Sequence, residues 1–195
     1  MATSAASASA SQPEFKGGFP TKYTLPNHTI TYESGIAIVT CNGGGSTTGS
    51  ITGAKTGTLN TMTFTSCGSF CNQFKTAELE SIPVYTNKAT KAVSLLLKPK
   101  TGTTFATTEC GLEKGEIRGS ILVPITPTNT LTKEFTLKAR GTHGEQVPQE
   151  YENEKGEKVK VTLEGRLFGA ESFVKCGLSF TVGITTEKYL ELQAL

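Results

Sequence analysis

The chain has 195 residues and a formal net charge of +2, and only 18% of its residues are charged, against roughly 25% in ordinary soluble domains. Its basic residues are dispersed, which excludes the concentrated basic face of a nucleic-acid binder. Asp and Trp are both absent, which excludes EF-hand loops, Asp dyads and Asp-held magnesium and leaves sugar stacking to Tyr.

No apolar run approaches the roughly 18 residues of a membrane-spanning helix, so no membrane span is expected. Nor is a cofactor. Polar bulk comes instead from Thr, about one residue in six, with 21 Gly and 8 Pro. Thr is β-branched and fits a pleated surface, so the composition reads as many short strands joined by turns.

In chain order, residues 2–11 are an Ala/Ser tract with nothing to bury. It reads as a flexible extension, or as the region just after a signal-peptide cleavage site. A basic segment followed by an apolar one is missing, so the sequence reads as a mature secreted chain with an added Met1. Residues 13–26, with Gly17, Gly18 and Pro20, read as an irregular lead-in. The whole of 1–26 is thus a flexible N-terminal extension, and 27–195 is the β-domain.

Strand patterns follow. Residues 36–41 form a short apolar run of the fully buried type. In 58–66, Met62 and Phe64 alternate with Thr61, Thr63 and Thr65. Residues 92–97 and 103–110 are further strands, separated by Pro99 and Gly102. Ile117, Ile121 and Val123 share a parity, as do Phe135 and Leu137. Val159, Val161, Leu163 and Leu167 alternate with Lys160, Thr162, Glu164 and Arg166, a half-buried strand by period two. The longest pattern is Val174, Cys176, Leu178, Phe180, Val182 and Ile184 on one face, with a bend expected at Gly177 or Gly183. The charged stretch Glu154-Lys155-Gly156-Glu157 suits an exposed hairpin tip. Helical periodicity is limited to the short end, 187–195. The expected fold is all-β: an antiparallel β-sandwich, one large or two related, stapled by disulfides, with a sub-boundary near 124–132.

Five cysteines leave several connectivities open. Cys176 lies on the apolar face of the longest strand, where a reduced Cys is a small buried hydrophobe, so it is taken as the free buried thiol. Cys67 and Cys71 are too close in sequence to be preferred as partners. The favoured pairing is Cys41–Cys67 and Cys71–Cys110. A zinc site on Cys67 and Cys71 with Cys41 or Cys110 is the weaker reading, because structural zinc shows two close-spaced ligand pairs and only one pair here is close. Disulfides imply an oxidising compartment.

Several segments, taken together, carry a resemblance: Gly49-Ser-Ile-Thr-Gly-Ala-Lys-Thr56, Thr63-Phe-Thr-Ser-Cys67, Phe105-Ala-Thr-Thr-Glu-Cys110-Gly, Arg118-Gly-Ser-Ile-Leu-Val-Pro-Ile-Thr-Pro-Thr-Asn129 and Thr132-Lys-Glu-Phe-Thr-Leu-Lys138. The chain over about 36–152 resembles a family of secreted, uncharacterised β-rich proteins from soil actinobacteria. The resemblance implies export and a bacterial origin. It also implies that Cys41, Cys67, Cys71 and Cys110 are recurring positions, whereas Cys176 has no counterpart. It carries over no catalytic or ligand residue.

The residues themselves supply little chemistry. His28 and His143 sit in separate loop-like regions, and no Gly-x-Ser-x-Gly elbow accompanies them. Glu145, Glu150, Glu152, Glu154 and Glu157 read as the solvated face of a charged hairpin, since Glu alone makes a poor calcium loop. Gly43-Gly44-Gly45-Ser46 lacks the Lys-Ser/Thr and the helix of a phosphate loop. Asn27-His28-Thr29 matches a glycosylation sequon, incidental in a bacterial protein. Thr61, Thr63 and Thr65 form one polar row without a repeat period, read as a solvated sheet face.

No catalytic, cofactor or metal residue is therefore assigned. The expectation is a non-enzymatic secreted surface or matrix protein. It would self-assemble into an oligomer or fibre by adding its N-terminal segment, with Phe15 and Phe19, to a neighbour's sheet edge. The alternative is a module binding a glycan or another surface ligand through Thr, Asn and Tyr side chains on loops. A hydrolase built on His143 and a glutamate ranks third.

Overall fold

The structure, a computed structural model, describes residues 11–35, 37–68, 71–167 and 170–195. Strands make up 69% of it, and no helix occurs among the described residues. The Thr-rich, turn-punctuated sequence runs back and forth in eight long passes, most of them interrupted near mid-height by Gly, Pro or Asn. The first pass is β1 (Glu14–Gly17), β2 (Thr21–Leu25) and β3 (Ile30–Ser34). The second is β4 (Ile38–Gly43) and β5 (Thr47–Gly53), and the third is β6 (Thr56–Leu59) and β7 (Thr63–Cys67). The fourth is β8 (Cys71–Thr76) and β9 (Leu79–Asn87), and the fifth is β10 (Ala92–Pro99) and β11 (Thr104–Cys110). The sixth is β12 (Glu113–Gly119) and β13 (Ile121–Thr126). The seventh starts as β14 (Leu131–Thr142), leaves the wall through β15 (Glu145–Val147), β16 (Glu150–Glu152) and β17 (Lys158–Lys160), and is completed by β18 (Leu163–Arg166). The eighth is β19 (Val174–Gln193), 20 residues long.

Every neighbouring pair in the wall is antiparallel. One edge of β19 takes β1, β2 and β3; the other takes β14 and β18. Between those edges the upper half runs β2–β5–β6–β9–β10–β13–β14. The lower half runs β3–β4–β7–β8–β11–β12–β18. The sheet is therefore an eight-strand closed barrel and not the expected sandwich. A sandwich needs open sheets, and here both edges of β19 are occupied, which removes the exposed edge. The region near 124–132 is the connection between β13 and β14, which pair with each other.

The core is the barrel interior. Along β19, Cys176, Leu178, Phe180, Val182, Ile184, Leu190 and Leu192 are buried, while Lys175, Thr181 and Thr185 face out, the period-two signature of a wall filled from inside. Phe64 and Phe74 meet edge to face inside it at 5.9 Å, as do Phe15 and Phe135 at 6.2 Å. Gly49 is the strand partner of Tyr23, and a Cβ there would lie 2.2 Å from the Tyr23 ring. The missing side chain is the space the ring fills.

Several local expectations change. Residues 187–193 are the end of β19 and 194–195 follow it, with no helix: Leu190, Leu192 and Ala194 are buried at alternate positions. Neither Gly177 nor Gly183 interrupts that strand. Of the expected N-terminal extension, 14–17 and 21–25 are barrel strands. Phe15 is buried against Phe135, Phe19 packs on the core, and the edge of β1 is paired with β19 of the same chain. Within these residues the expected strand donor is already used in its own barrel; residues 1–10 lie outside the described residues. The run 36–41 is not fully buried, since Ile38 is 72% exposed near the β3–β4 turn.

Cys41 is bonded to Cys67 and Cys71 to Cys110, and Cys176 is free and buried. Both bonds join passes whose turn lies at the opposite, upper end (β5–β6 and β9–β10). Each bond therefore ties a seam where no hairpin holds it, and loops of 26 and 39 residues place each bond's effect at about 2–4 kcal/mol.

Burial at alternate positions predicts that Leu192→Ala destabilises the protein by about 2–5 kcal/mol, whereas Gln193→Ala changes stability by less than about 1 kcal/mol. Urea unfolding of the two variants checks it. Similar losses for both would contradict a strand at this end.

Candidate functional site

The upper strands of the fourth, fifth and sixth passes, β9, β10 and β13, carry apolar residues on both faces. Inward residues Val93, Leu95, Leu97, Ile121 and Val123 join the core, while outward Val84, Leu96 and Leu122 form a second buried cluster with Val161. An outward apolar face must be covered, and the excursion between β14 and β18 covers it. β16 bridges to the upper part of β9 through Glu152 and Tyr85, and Tyr151 and Ile82 pack on the cluster. The β16–β17 tip is fixed by Asn153, whose Oδ1 accepts from the amides of Lys155 and Glu157, in the stretch expected to form a hairpin tip.

Where the excursion lifts off the wall it leaves a slot of about 370 Å³. Ile82, Pro83, Val84 and Leu96 line its wall, with Tyr151 and Asn153 from the excursion and Gln12 at one end. At the rim Lys55 pairs with Glu154 at 3.2 Å and Lys98 with Glu80 at 3.0 Å. Gln12 is only 7% exposed. Its Nε2 donates to the Asn153 carbonyl at 2.7 Å, while its Oε1 is buried without a partner. A buried acceptor left unpaired costs about 1–3 kcal/mol; the slot itself sets Lys55, Lys98, Asn153 and Glu154 beside its apolar wall.

The residues singled out from the sequence lie elsewhere and are not brought together. His143 sits exposed in the β14–β15 turn at φ 52°, followed by Gly144 at φ 74°. His28 lies between β2 and β3, its ring edge-on to Phe64 at 5.1 Å and close to Phe180 at 5.6 Å. Among the described residues neither imidazole hydrogen-bonds a Ser, Thr or Glu side chain. Glu145 pairs with Lys175 at 2.6 Å and accepts from Gln149 at 2.9 Å, and hydrogen bonding to that ammonium holds its carboxyl below the usual range. Among the described residues no group of three or more His, Cys or Glu side chains could hold a metal. Burial pushes the Cys176 thiol up to about 12, which leaves it inert.

Two further clefts mark the mid-height breaks. One, of about 170 Å³, is lined by His28, Gly44, Gly45, Ser46, Thr47, Thr61 and Thr63 among others. The other, of about 370 Å³, is lined by Thr61, Lys75, Thr76, Ala77, Thr101, Thr104, Ala106 and Thr107. The row Thr61, Thr63 and Thr65 is exposed, as a solvated face should be.

Sequence reading missed Gln12, which follows the Ala/Ser tract, and Tyr151, which is set among glutamates. The available signal was the lack of alternation in 92–97 and 121–125, which requires cover on both faces of those strands. No protein-family model matches the chain, and neither a curated protein nor a solved structure matches it.

His28 yields a pH prediction. Its Nδ1 lies 3.0 Å from the Pro26 carbonyl, which only accepts, so Nδ1 carries the proton of the neutral ring. Nε2 is buried without a partner, and burial lowers the imidazole pKa below 6.5. The unfolded chain then takes up the proton first, so stability present above pH 6.5 declines as pH falls through that value toward the depressed native one. Chemical denaturation should show wild type losing stability from pH 7 to pH 5 and His28→Phe losing less. Equal losses would contradict the buried neutral ring.

Proposed function

We propose that this chain is a secreted, non-enzymatic binding module that holds a surface ligand in the slot between the β16–β17 hairpin and the outer wall of β9 and β10. The observation that carries the reading is a slot of about 370 Å³, within the roughly 300–1,000 Å³ of ligand sites, with an apolar wall of Ile82, Val84 and Leu96 and polar side chains at its margin. One of its walls is the paired barrel strands β9 and β10, so little ordering of that wall is required on binding. Two disulfides are compatible with an oxidising, extracellular setting, and the resemblance to exported proteins points the same way. The isolated positions of His28 and His143 support a role without catalysis. A matrix role through strand donation is less well supported, because releasing β1 would expose Phe15 and open the pairing with β19.

A second reading, glycan recognition, is favoured by the cleft whose lining includes Thr61, Thr101 and Thr107, whose hydroxyls suit a polar ligand. Retention on a glycan array that is lost in Thr101→Val with Thr107→Val would favour it over the slot.

The slot reading is tested with Nile red, a neutral environment-sensitive dye. Wild type should bind one dye per chain with enhanced emission. Ile82→Trp, which fills the slot, and Tyr151→Ala, which removes a wall, should each raise Kd by about tenfold or more, or ~1.4 kcal/mol, with thermal unfolding still cooperative. Dye binding unchanged in both variants would contradict it.

A further inference from the structure

We infer that the Thr-lined cleft at the mid-height break of β8 and β11, about 370 Å³ in volume, is a site for an acidic sugar. The inference rests on the glycan reading of this cleft and is independent of the slot. A uronic acid is the simplest such ligand. Its carboxylate meets Lys75, and its hydroxyls meet Thr61, Thr101 and Thr107.

Lys75 sets the charge of the ligand. Among the described residues it is the one charged side chain that lines the cleft; it is exposed and forms no ion pair or side-chain hydrogen bond. The carboxylates around it are engaged or turned to other partners. Glu78 pairs with Lys100 at 2.8 Å. Glu116 accepts from Arg118 at 2.9 Å and 3.0 Å and from the Thr104 hydroxyl at 2.7 Å. Glu109 stands opposite Gln73 in the ladder, not opposite Lys75. The cleft therefore presents one uncompensated positive charge.

The hydroxyls set the rest of the contact. Thr76 Oγ1 accepts from the Met62 amide at 2.9 Å, so it and Thr104 are spent inside the protein. Those of Thr61, Thr101 and Thr107 are on exposed residues and have no partner among the described residues. Lys75 lies directly opposite Thr107 on the neighbouring strand. Adjacent strands are about 4.8 Å apart, close to the width of one sugar ring, so a ring with its carboxylate at Lys75 has a hydroxyl within reach of Thr107.

The lining also selects a sugar over other anions. Its apolar side chains are those of Ala77 and Ala106, which leave an acidic peptide no pocket for an apolar anchor and a nucleotide no aromatic ring to stack on. The same lack of an aromatic platform makes a neutral sugar a weak ligand, because an exposed hydrogen bond replaces one to water with little net gain. A carboxylate on the ammonium is the contact that adds affinity.

The test is calorimetric titration at low ionic strength with trigalacturonate and with its trimethyl ester, which keeps the ring hydroxyls and loses the charge. Wild type should bind the acid about tenfold or more tighter than the ester. In Lys75→Met the acid should fall to the affinity of the ester. Thr101→Val with Thr107→Val should weaken both compounds, with thermal unfolding still cooperative in each variant. Equal affinities in wild type, or a preference for the acid that persists in Lys75→Met, would overturn this inference; loss of that binding in the Thr variant would then leave the glycan reading standing. Binding of neither compound by wild type would overturn both.

Discussion

Closure of the barrel along β19 is the constraint on which the other features depend. β19 is the one pass that runs uninterrupted from bottom to top, and both its edges must be satisfied. One edge is lined in turn by β1, β2 and β3, with the register shifting at each break between them. The other is shared by two strands far apart in sequence. β14 accompanies it down to the Ala139–Phe180 pair, and β18 takes over at Lys175 and Val174. Between them neither strand pairs with residues 176–179, and Gln146 fills the gap. Its side-chain Oε1 accepts from the Leu178 amide at 2.8 Å, and its Nε2 donates to the carbonyls of Leu178 at 3.2 Å and Arg140 at 3.1 Å. One buried amide side chain thus does what a strand residue would do, at the point where the seventh pass is split.

That split is also what creates the slot. Because β14 stops short and β18 restarts lower down, the chain between them must travel outside the barrel. It travels over strands whose outward residues, Val84, Leu96 and Leu122, are apolar, so the excursion is held by burial as well as by its one bridge to β9. At about 25 cal/mol per Å² of buried apolar surface, this second cluster is a real but secondary contribution beside the interior. The cover is incomplete, and the slot is the uncovered part, closed at one end by Gln12 just before β1. Ring closure, excursion and slot are one consequence of dividing a single pass.

Much of this was legible in the residues and some was not, for physical reasons. The long alternation from Val174 to Ile184 is local information, and it specifies an extended, half-buried pass whatever its partners are. The same alternation resumes at Leu190, Leu192 and Ala194, but Glu187, Lys188 and Tyr189 are all exposed and interrupt the pattern, so the local sequence also fits a short helix. Whether antiparallel strands close into a barrel or split into a sandwich is decided by which strand pairs across the ends. That pairing is non-local and leaves no period in the sequence. In the sequence Phe15 stands as an unattached apolar residue because its partners, β19 and Phe135, lie more than a hundred residues away. The slot followed the same rule. The uniformly apolar runs at 92–97 and 121–125 signal cover on both faces, but they do not say that Tyr151 and Val161, set in a charged stretch, provide it.

The most direct test of this account is residue-resolved native hydrogen exchange along β19. The amides from Cys176 to Leu192 that face a partner should form one continuous protected run, with the Leu178 amide as slow as those of Phe180 and Val182. In Gln146→Ala that amide alone among them should lose protection by a large factor, while the pairing above Phe180 stays slow. Fast exchange at Leu178 in the wild-type protein, or protection there that is indifferent to Gln146→Ala, would contradict a barrel closed through that side chain.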